Sequence, residues 1–468
     1  MFVRLALVSF TLAVAPALAQ QPPQQPTQQH ADAALPQIEP REFRARREAL
    51  AVAIAKLHPG KTAVVLVRGG GHAPDMGAFV QDQDFLWLSG VAEPGLAVLL
   101  AVDAGGKLAR DELLVPPYSP MTAMWDGSFL APGEKTAART GFATAGNVRS
   151  LATLATEALA ADDSGARPLL FTLLQPAARI GSTPRRAKDI ADEVAGDAFD
   201  GRSSREARFA AALQQRCEGL QVEALEPLLH AMRPHKSDTE LAVIRRCAQI
   251  AAAGITAAMQ SCEPDRYEYQ LAASARFVFS QLGAGPDAYA AIVGGGPNGC
   301  VLHYMACQRR LLATDLIVMD YAPTLHGYAT DVTRTFPASG TFTPEQRKLV
   351  QDVYEIQQAL IADVKPGAKL SELGTRCARL LQERGYRSDH GPSHHVGLAV
   401  HDPSVDVLEA GMVITVEPGA YLRDQGMGCR IEDTIVVTAN GCEVLSKDVP
   451  STPDAIEKLM ARNVRPSR

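Results

Sequence analysis

The chain has 468 residues, 46% of them hydrophobic and 21% charged, with a formal net charge of −6 at pH 7. That balance is ordinary for a globular protein able to bury a large core, and the length suggests two or three domains. The acidic charge, with no basic stripe carrying interleaved aromatics, argues against nucleic acid as a partner and for a small molecule or peptide.

Residues 1–19 read as an export signal: Arg4 gives the positive start, an apolar run follows, and Ala17-Leu18-Ala19 offers a cleavage site. The run is shorter than the roughly 20 apolar residues needed to span a bilayer and is broken by Pro16, so no stable membrane insertion is expected after cleavage. The mature chain would start at Gln20 and work in the periplasm or outside the cell. Residues 20–40, opening with QQPPQQPTQQ, form a disordered Gln/Pro leader with little to bury. The eight cysteines contain no C-x-x-C pair and are read first as small buried hydrophobes, with disulfides as the alternative that export permits.

Residues 41–57 have a helical pattern, and short apolar runs at 63–67, 96–102, 112–115 and 169–173 alternate with Ala-rich helical stretches. This is the signature of an α/β domain, placed at residues 41–235. A new unit opens at Ser237, where S-D-T-E is a capping box. Leu241, Ile244, Ala248, Ala251, Ile255 and Met259 then recur at the spacing of one helix face. The second domain is set at residues 236–450 and a C-terminal tail at 451–468.

Within that domain, residues 316–320 form a short apolar run ending in Asp320. In 329–336, Asp331, Thr333 and Thr335 alternate with Val332, Arg334 and Phe336. The connection 322–328 holds Pro323 and Gly327, so the two runs are expected to pair antiparallel and bring Asp320 to Asp331. Helices are expected at 344–364, with Thr343 as N-cap, and at 371–384, stopped by Gly385. Residues 413–416 form a strand stopped by Glu417-Pro418-Gly419, and in 430–437 alternation puts Arg430, Glu432 and Thr434 on one face.

Asp320, Asp331, His394, Glu417 and Glu432 are thus candidate metal ligands. Taken singly, each has another reading: a turn former, a solvated carboxylate or a core imidazole. Four carboxylates in one space repel unless cations neutralise them, so the set is a metal site or no set at all.

Residues 236–437 resemble the catalytic domain of the pita-bread metallopeptidases that include aminopeptidase P and prolidase. The resemblance is carried by NGCVLHY (298–304), YATDVTRTFP, SHHVGLAVHD (393–402), LEAGMVITVEPGAY (408–421) and the RIEDT strand. The stretch QDQDFLWLSGVAEPGLAVLL (81–100) is similar to that family's amino-terminal domain, and aminopeptidase P is the nearer match. One departure is Tyr321-Ala322 after Asp320, where many members have Ala-Gly.

The resemblance implies an N-terminal α/β domain followed by a pita-bread catalytic domain. It implies two divalent cations: Asp320 on one, Asp331 and Glu432 bridging both, His394 and Glu417 completing the other. The donor types suit Mn²⁺ first, with Co²⁺ or Zn²⁺ as alternatives. It also makes Glu417 the general base and acid, and puts His303 and His401 on the substrate and the tetrahedral intermediate. Arg430 would reach the substrate or orient Glu432, while His390 and His395 are left outside the catalytic set. The implied reaction is metal-hydroxide hydrolysis of the bond between an N-terminal residue and a following proline. A prolidase limited to Xaa-Pro dipeptides and a non-catalytic module binding peptide or protein are the alternatives. A homo-oligomer is also implied.

Overall fold

The computed structural model describes residues 35–71, 78–127, 129–163, 165–178, 181–387 and 389–461. The expected export signal, and the Gln/Pro leader as far as residue 34, lie outside them. In the first unit, strands β1 (Ala63–Arg68), β2 (Ala97–Val102), β3 (Leu108–Val115), β4 (Thr144–Asn147), β5 (Leu169–Thr172) and β6 (Val222–Ala224) form one sheet in the order β4-β3-β2-β1-β5-β6. β1 to β3 run antiparallel, and β5 and β6 add in parallel beside β1. The central strand β1 is buried on both faces: Val65 and Val67 join the main core, Val64 and Leu66 a second one roofed by Ala155, Leu213 and Cys217. Two-sided burial is why its sequence reads as a continuous apolar run without alternation. β4 and β6 escape a reading by pattern because they are short and only half-buried or exposed.

In the second unit, helix Asp238–Ser261 begins with the full Ser237/Glu240 capping box, and the six apolar positions of its expected face are all buried. It is long and apolar enough to cross a membrane, yet 72% of its most apolar window is buried inside the protein. It packs on helix Glu268–Gln281, and the contact is close at Gly254. A Cβ there would stand 2.1 Å from Phe279 Cε1 and 3.0 Å from the Ala275 carbonyl oxygen. Gly254→Ala is therefore expected to cost about 1–3 kcal/mol by overpacking, read as a lower midpoint in chemical denaturation. An unchanged midpoint would mean that the helices separate freely.

The strands fall into two halves. β7 (Ile292–Gly295), β8 (Leu316–Asp320) and β11 (Thr333–Pro337) form one sheet, with a small hairpin of β9 (Thr324–Leu325) and β10 (Tyr328–Ala329) beside it. β12 (Val413–Val416), β15 (Asp433–Thr438) and β16 (Gly441–Val444) form another, next to the ribbon β13 (Gly419–Leu422) and β14 (Met427–Arg430). Helices Asp238–Ser261 and Glu268–Gln281 back the first half, and helices Pro344–Ile361 and Leu370–Glu383 belong to the second. This is the mixed α/β architecture that the resemblance implies.

β8 and β11 pair antiparallel as expected, with Asp320 opposite Thr333. The expected continuous strands 329–336 and 430–437 are instead each broken, at residues 330–332 and 431–432. The reason is that the backbone there bonds across the two halves: Glu432 N donates to Thr333 O at 3.1 Å, and Asp331 N to Thr434 Oγ1 at 2.9 Å. The connection 322–328, marked in the sequence by Pro323 and Gly327, runs through the β9/β10 hairpin, turning at His326 and Gly327 with φ of 49° and 85°. The expected tail also carries structure: Pro453–Ala461 is a helix whose Ile456 and Met460 are buried. Among the described residues no disulfide forms, and all eight cysteines are free.

Candidate metal centre

The seam between the halves is stitched by threonines. Thr330 and Thr434 share a hydroxyl contact of 2.9 Å, Thr434 Oγ1 donates to Asp331 O at 2.8 Å, and Thr335 Oγ1 donates to Arg430 O at 2.8 Å. On the opposite face, Arg334 is 1% exposed and donates to the carbonyls of Thr333 and Glu432 and to Asp433. Short side chains toward the seam and one fully bonded arginine behind it leave a polar floor, and the carboxylates stand on that floor.

Asp331, His394 and Glu432 each offer a ligand atom within 4.8 Å of the others. His394 Nε2 lies 3.5 Å from Asp331, 3.3 Å from Glu417 and 4.0 Å from Glu432. Its Nδ1 faces the His395 carbonyl at 3.2 Å, which leaves Nε2 aimed at the carboxylates, carrying a proton to them without cations and offering its lone pair to a cation when one is bound. Asp320 joins through Tyr289, whose hydroxyl lies 2.6 Å from Asp320 Oδ1 and 2.5 Å from Asp331 Oδ1. All five sequence-derived candidates therefore converge.

Burial and mutual repulsion show in the protonation of the cluster. Burial, then the neighbouring Asp331 charge, pushes Asp320 up to about 6. Burial pushes Glu417 up to about 7 and Glu432 well above the carboxylate range, both helped by Asp331. Asp331 is the exception: burial works to raise it, but His394 holds it low. His394, opposed by burial, is raised to about 9 by Asp331 and Glu417. Without cations the site must hold protons to survive its own charge.

The donor set fits divalent cations. Glu432 Oε2 accepts from Thr333 at 2.7 Å, while its buried Oε1 has no hydrogen-bond partner. A buried, partnerless carboxylate oxygen facing three other acidic groups is costly unless a cation meets it. The cluster also has a closed and an open side: the Asp331 and Glu432 side chains are 8% and 2% exposed, those of His394 and Glu417 18% and 15%. Solvent reaches the cluster mainly from the His394 and Glu417 side.

His401 lies there, its ring 4.2 Å from that of His394. Burial, then the His394 charge, lowers it to about 4, so it is a neutral imidazole. His303 is exposed, and burial of part of its ring and the Arg430 charge lower it too. Arg430, expected to meet substrate or orient Glu432, is 4% exposed, and its donors connect to Glu432 through Thr333, whose hydroxyl donates to that carboxylate. The donors of Arg430 reach Asp320 at 2.8 Å, Tyr421 at 2.9 Å and Thr333 at 3.3 Å. His390, set aside in the sequence reading, comes 3.8 Å from Glu417 and 2.9 Å from Tyr421. Tyr289 and Tyr421 are not among the sequence candidates: tyrosine is an uncommon ligand beside a carboxylate set, and only the fold brings Tyr289 to Asp320. Tyr321 leaves the site alone, being buried with its ring 5.1 Å from Phe279.

Two family models match the chain: "Metallopeptidase family M24" over residues 242–439 and "Aminopeptidase P, N-terminal domain" over residues 43–165. The chain is 37% identical over 268 residues to the Xaa-Pro aminopeptidase of Escherichia coli K12, a match covering 50% of this chain and 61% of that protein. It is 32% identical over 247 residues to the Xaa-Pro dipeptidase of Pyrococcus horikoshii, covering 51% of this chain and 70% of that one. Among solved structures, zinc-substituted E. coli aminopeptidase P in complex with product superimposes with a TM-score of 0.77 at 26% identity, covering 92% of this chain and 100% of that one. With the same two-unit fold and both family models matched in order, the chain belongs to metallopeptidase family M24, in its aminopeptidase P group.

Proposed function

We propose that the protein is an exported, metal-dependent aminopeptidase that removes the residue preceding proline from Xaa-Pro peptides. The reading rests above all on the convergence of Asp320, Asp331, His394, Glu417 and Glu432 around a buried carboxylate oxygen that lacks a partner. These five residues would hold two divalent cations, Mn²⁺ by donor type, with Co²⁺ or Zn²⁺ as alternatives. Bound there, the cations supply Lewis acidity to the scissile carbonyl and bring a water toward deprotonation at neutral pH.

The chain's own residues do the rest. Glu417, on the open side, takes the proton of the attacking water and passes it to the leaving nitrogen. Burial raises it to about 7 in the cation-free protein, which supports a carboxylate that holds a proton near neutrality. The nitrogen of a Xaa-Pro bond carries no hydrogen, and without a proton it leaves poorly. His401 and His303, as neutral imidazoles, each have an N–H to donate to the substrate or to the developing oxyanion. Arg430 and Tyr289 hold Asp320 from opposite sides, on Oδ2 and Oδ1.

Peptide length separates this reading from a prolidase. Release of the first residue from Xaa-Pro-Yaa as well as Xaa-Pro supports it, and cleavage of dipeptides alone would replace it with the prolidase. Folded, cation-loaded protein that cleaves neither would bring the binding module forward. Export is checked by sequencing the N-terminus of protein from the periplasm or medium: a start at Gln20 is expected, and an intact Met1 would contradict it. Self-association belongs to the same proposal. It is supported by Met121, Met124 and Trp125, which are 63%, 69% and 75% exposed on a helix with no buried residue.

A further inference from the structure

Asp402 follows His401 in the chain, and its side chain is 1% exposed. Two cations meet it there: the Arg233 guanidinium on Oδ1 and Lys236 Nζ on Oδ2 at 3.2 Å. The same carboxylate takes the Ala399 N–H at 3.2 Å, while the Asp402 N–H donates to His395 O at 2.9 Å. The loop 395–402 is thereby closed on itself. Gly397 is part of the closure, because a Cβ at that position would stand 2.4 Å from Asp402 Oδ2. His394 enters this loop and His401 leaves it, and their rings touch.

Arg233 and Lys236 lie in the short connection between helix Glu226–Met232 and helix Asp238–Ser261, where the first unit ends and the second begins. Arg233 also donates to Asp84 Oδ1 at 2.7 Å, and His230 reaches Asp84 Oδ2 at 3.1 Å. Asp84 belongs to helix Gln83–Ser89 of the first unit. The turn of the β9/β10 hairpin lies beside both that helix and the loop: a Cβ at Gly327 would lie 2.6 Å from Leu86 Cδ2 and 3.5 Å from Leu398 Cδ2. Two cations and two carboxylates balance in a nearly water-free space, so changing one member leaves a charge that the others must move to accommodate.

We infer that Asp402, held by Arg233 and Lys236 and linked through Arg233 to Asp84, is a positioning residue that fixes His401 and His394. Docking of helix Gln83–Ser89 then sets the competence of a centre to which that helix contributes no ligand. This rests on the proposed peptidase reading for its kinetic readout only. The first unit thus acts on the reaction without contacting the reacting atoms.

The test is Asp84→Asn, which keeps size and removes one charge, alongside Arg233→Lys and Arg233→Met. Kinetics on Xaa-Pro-Yaa are measured per folded, Mn²⁺-loaded chain, and the ring resonance of His401 is followed in cation-free protein labelled at histidine. The resonance is assigned by its loss in His401→Gln. Asp84→Asn is expected to lower kcat about 10-fold with KM within about twofold, and to move the His401 resonance. Arg233→Lys should keep more of kcat than Arg233→Met. A kcat within twofold of wild type with an unmoved resonance, any loss being confined to thermal stability, would overturn the inference. If the wild-type protein cleaves no Xaa-Pro peptide, the peptidase reading falls, and the His401 resonance alone decides the positioning role.

Discussion

Glu417→Gln is expected to lower turnover of Xaa-Pro-Yaa peptides by about 10²–10⁴-fold while the protein stays folded. The substitution keeps the shape of the side chain and removes both its charge and its ability to carry a proton from water to the leaving nitrogen. Glu417 lies 3.3 Å from His394 Nε2 and on the open side of the cluster. Stability should not suffer in cation-free protein, because one charge leaves a buried, self-repelling group. A turnover loss below about 10-fold, at full cation occupancy, would remove Glu417 from the role of base.

In cation-free protein the five-ligand cluster is expected to contribute less stability as pH rises from about 4 to about 9, the reverse of carboxylates that are salt-bridged. Asp320 rises from 3.8 to about 6 and Glu417 from 4.5 to about 7, both chiefly by burial. An acid with a raised folded value gives stability that is whole below its unfolded value and is lost as pH climbs through the folded one. His394, raised from 6.5 to about 9 by Asp331 and Glu417 against burial, has the same sign in a higher window. Asp331, held low by His394 against burial, runs the other way, and its contribution is lost as pH falls through its folded value. Glu432, raised well above the carboxylate range by burial and by Asp331, shares the sign of the three, so four ligands against one make the cluster's contribution fall as pH rises, while His401, lowered to about 4 chiefly by burial, works the other way below its unfolded value of 6.5. Cations at about a hundred times their Kd restore about 2.7 kcal/mol, and bind better as the competing protons leave. Melting curves with EDTA and with Mn²⁺ across pH 5–8 should therefore diverge as pH rises. Curves that stay parallel, or that converge as pH rises, would contradict the charge balance described for the centre.

Much of the centre was legible in the chain because metal ligation restricts residue type. Asp, Glu and His at strand ends stand out against apolar runs, and strand alternation places Arg430, Glu432 and Thr434 on one face. What pattern could not supply was the cross-half bonding that breaks the strands at 330–332 and 431–432. A hydroxyl of Thr434 or a carbonyl of Thr333 becomes a partner only once the two halves meet, and nothing local marks that meeting. Arg430 is the clearest case: its spacing from Glu432 suggested that partner, but its guanidinium reaches over to Asp320 on β8. Tyr289 is similar: it lies just before β7, after Gly285-Pro286-Asp287, whose turn chemistry marks a loop but not the carboxylates that the tyrosine meets. Helix Glu268–Gln281 was not anticipated either. Its Glu268 is fully buried, accepting from the backbone of Gly295 and Arg309 and the Asn298 side chain, a tertiary use that helical periodicity does not encode.

The most direct test of the account is a titration of Mn²⁺ into metal-stripped protein while the N-terminal residue released from a Xaa-Pro-Yaa peptide is counted. The account predicts no release in EDTA, activity that grows with bound cation, and saturation at two equivalents per chain. Release that is equal with and without cation, or a folded protein that binds the cation and releases nothing, would contradict it.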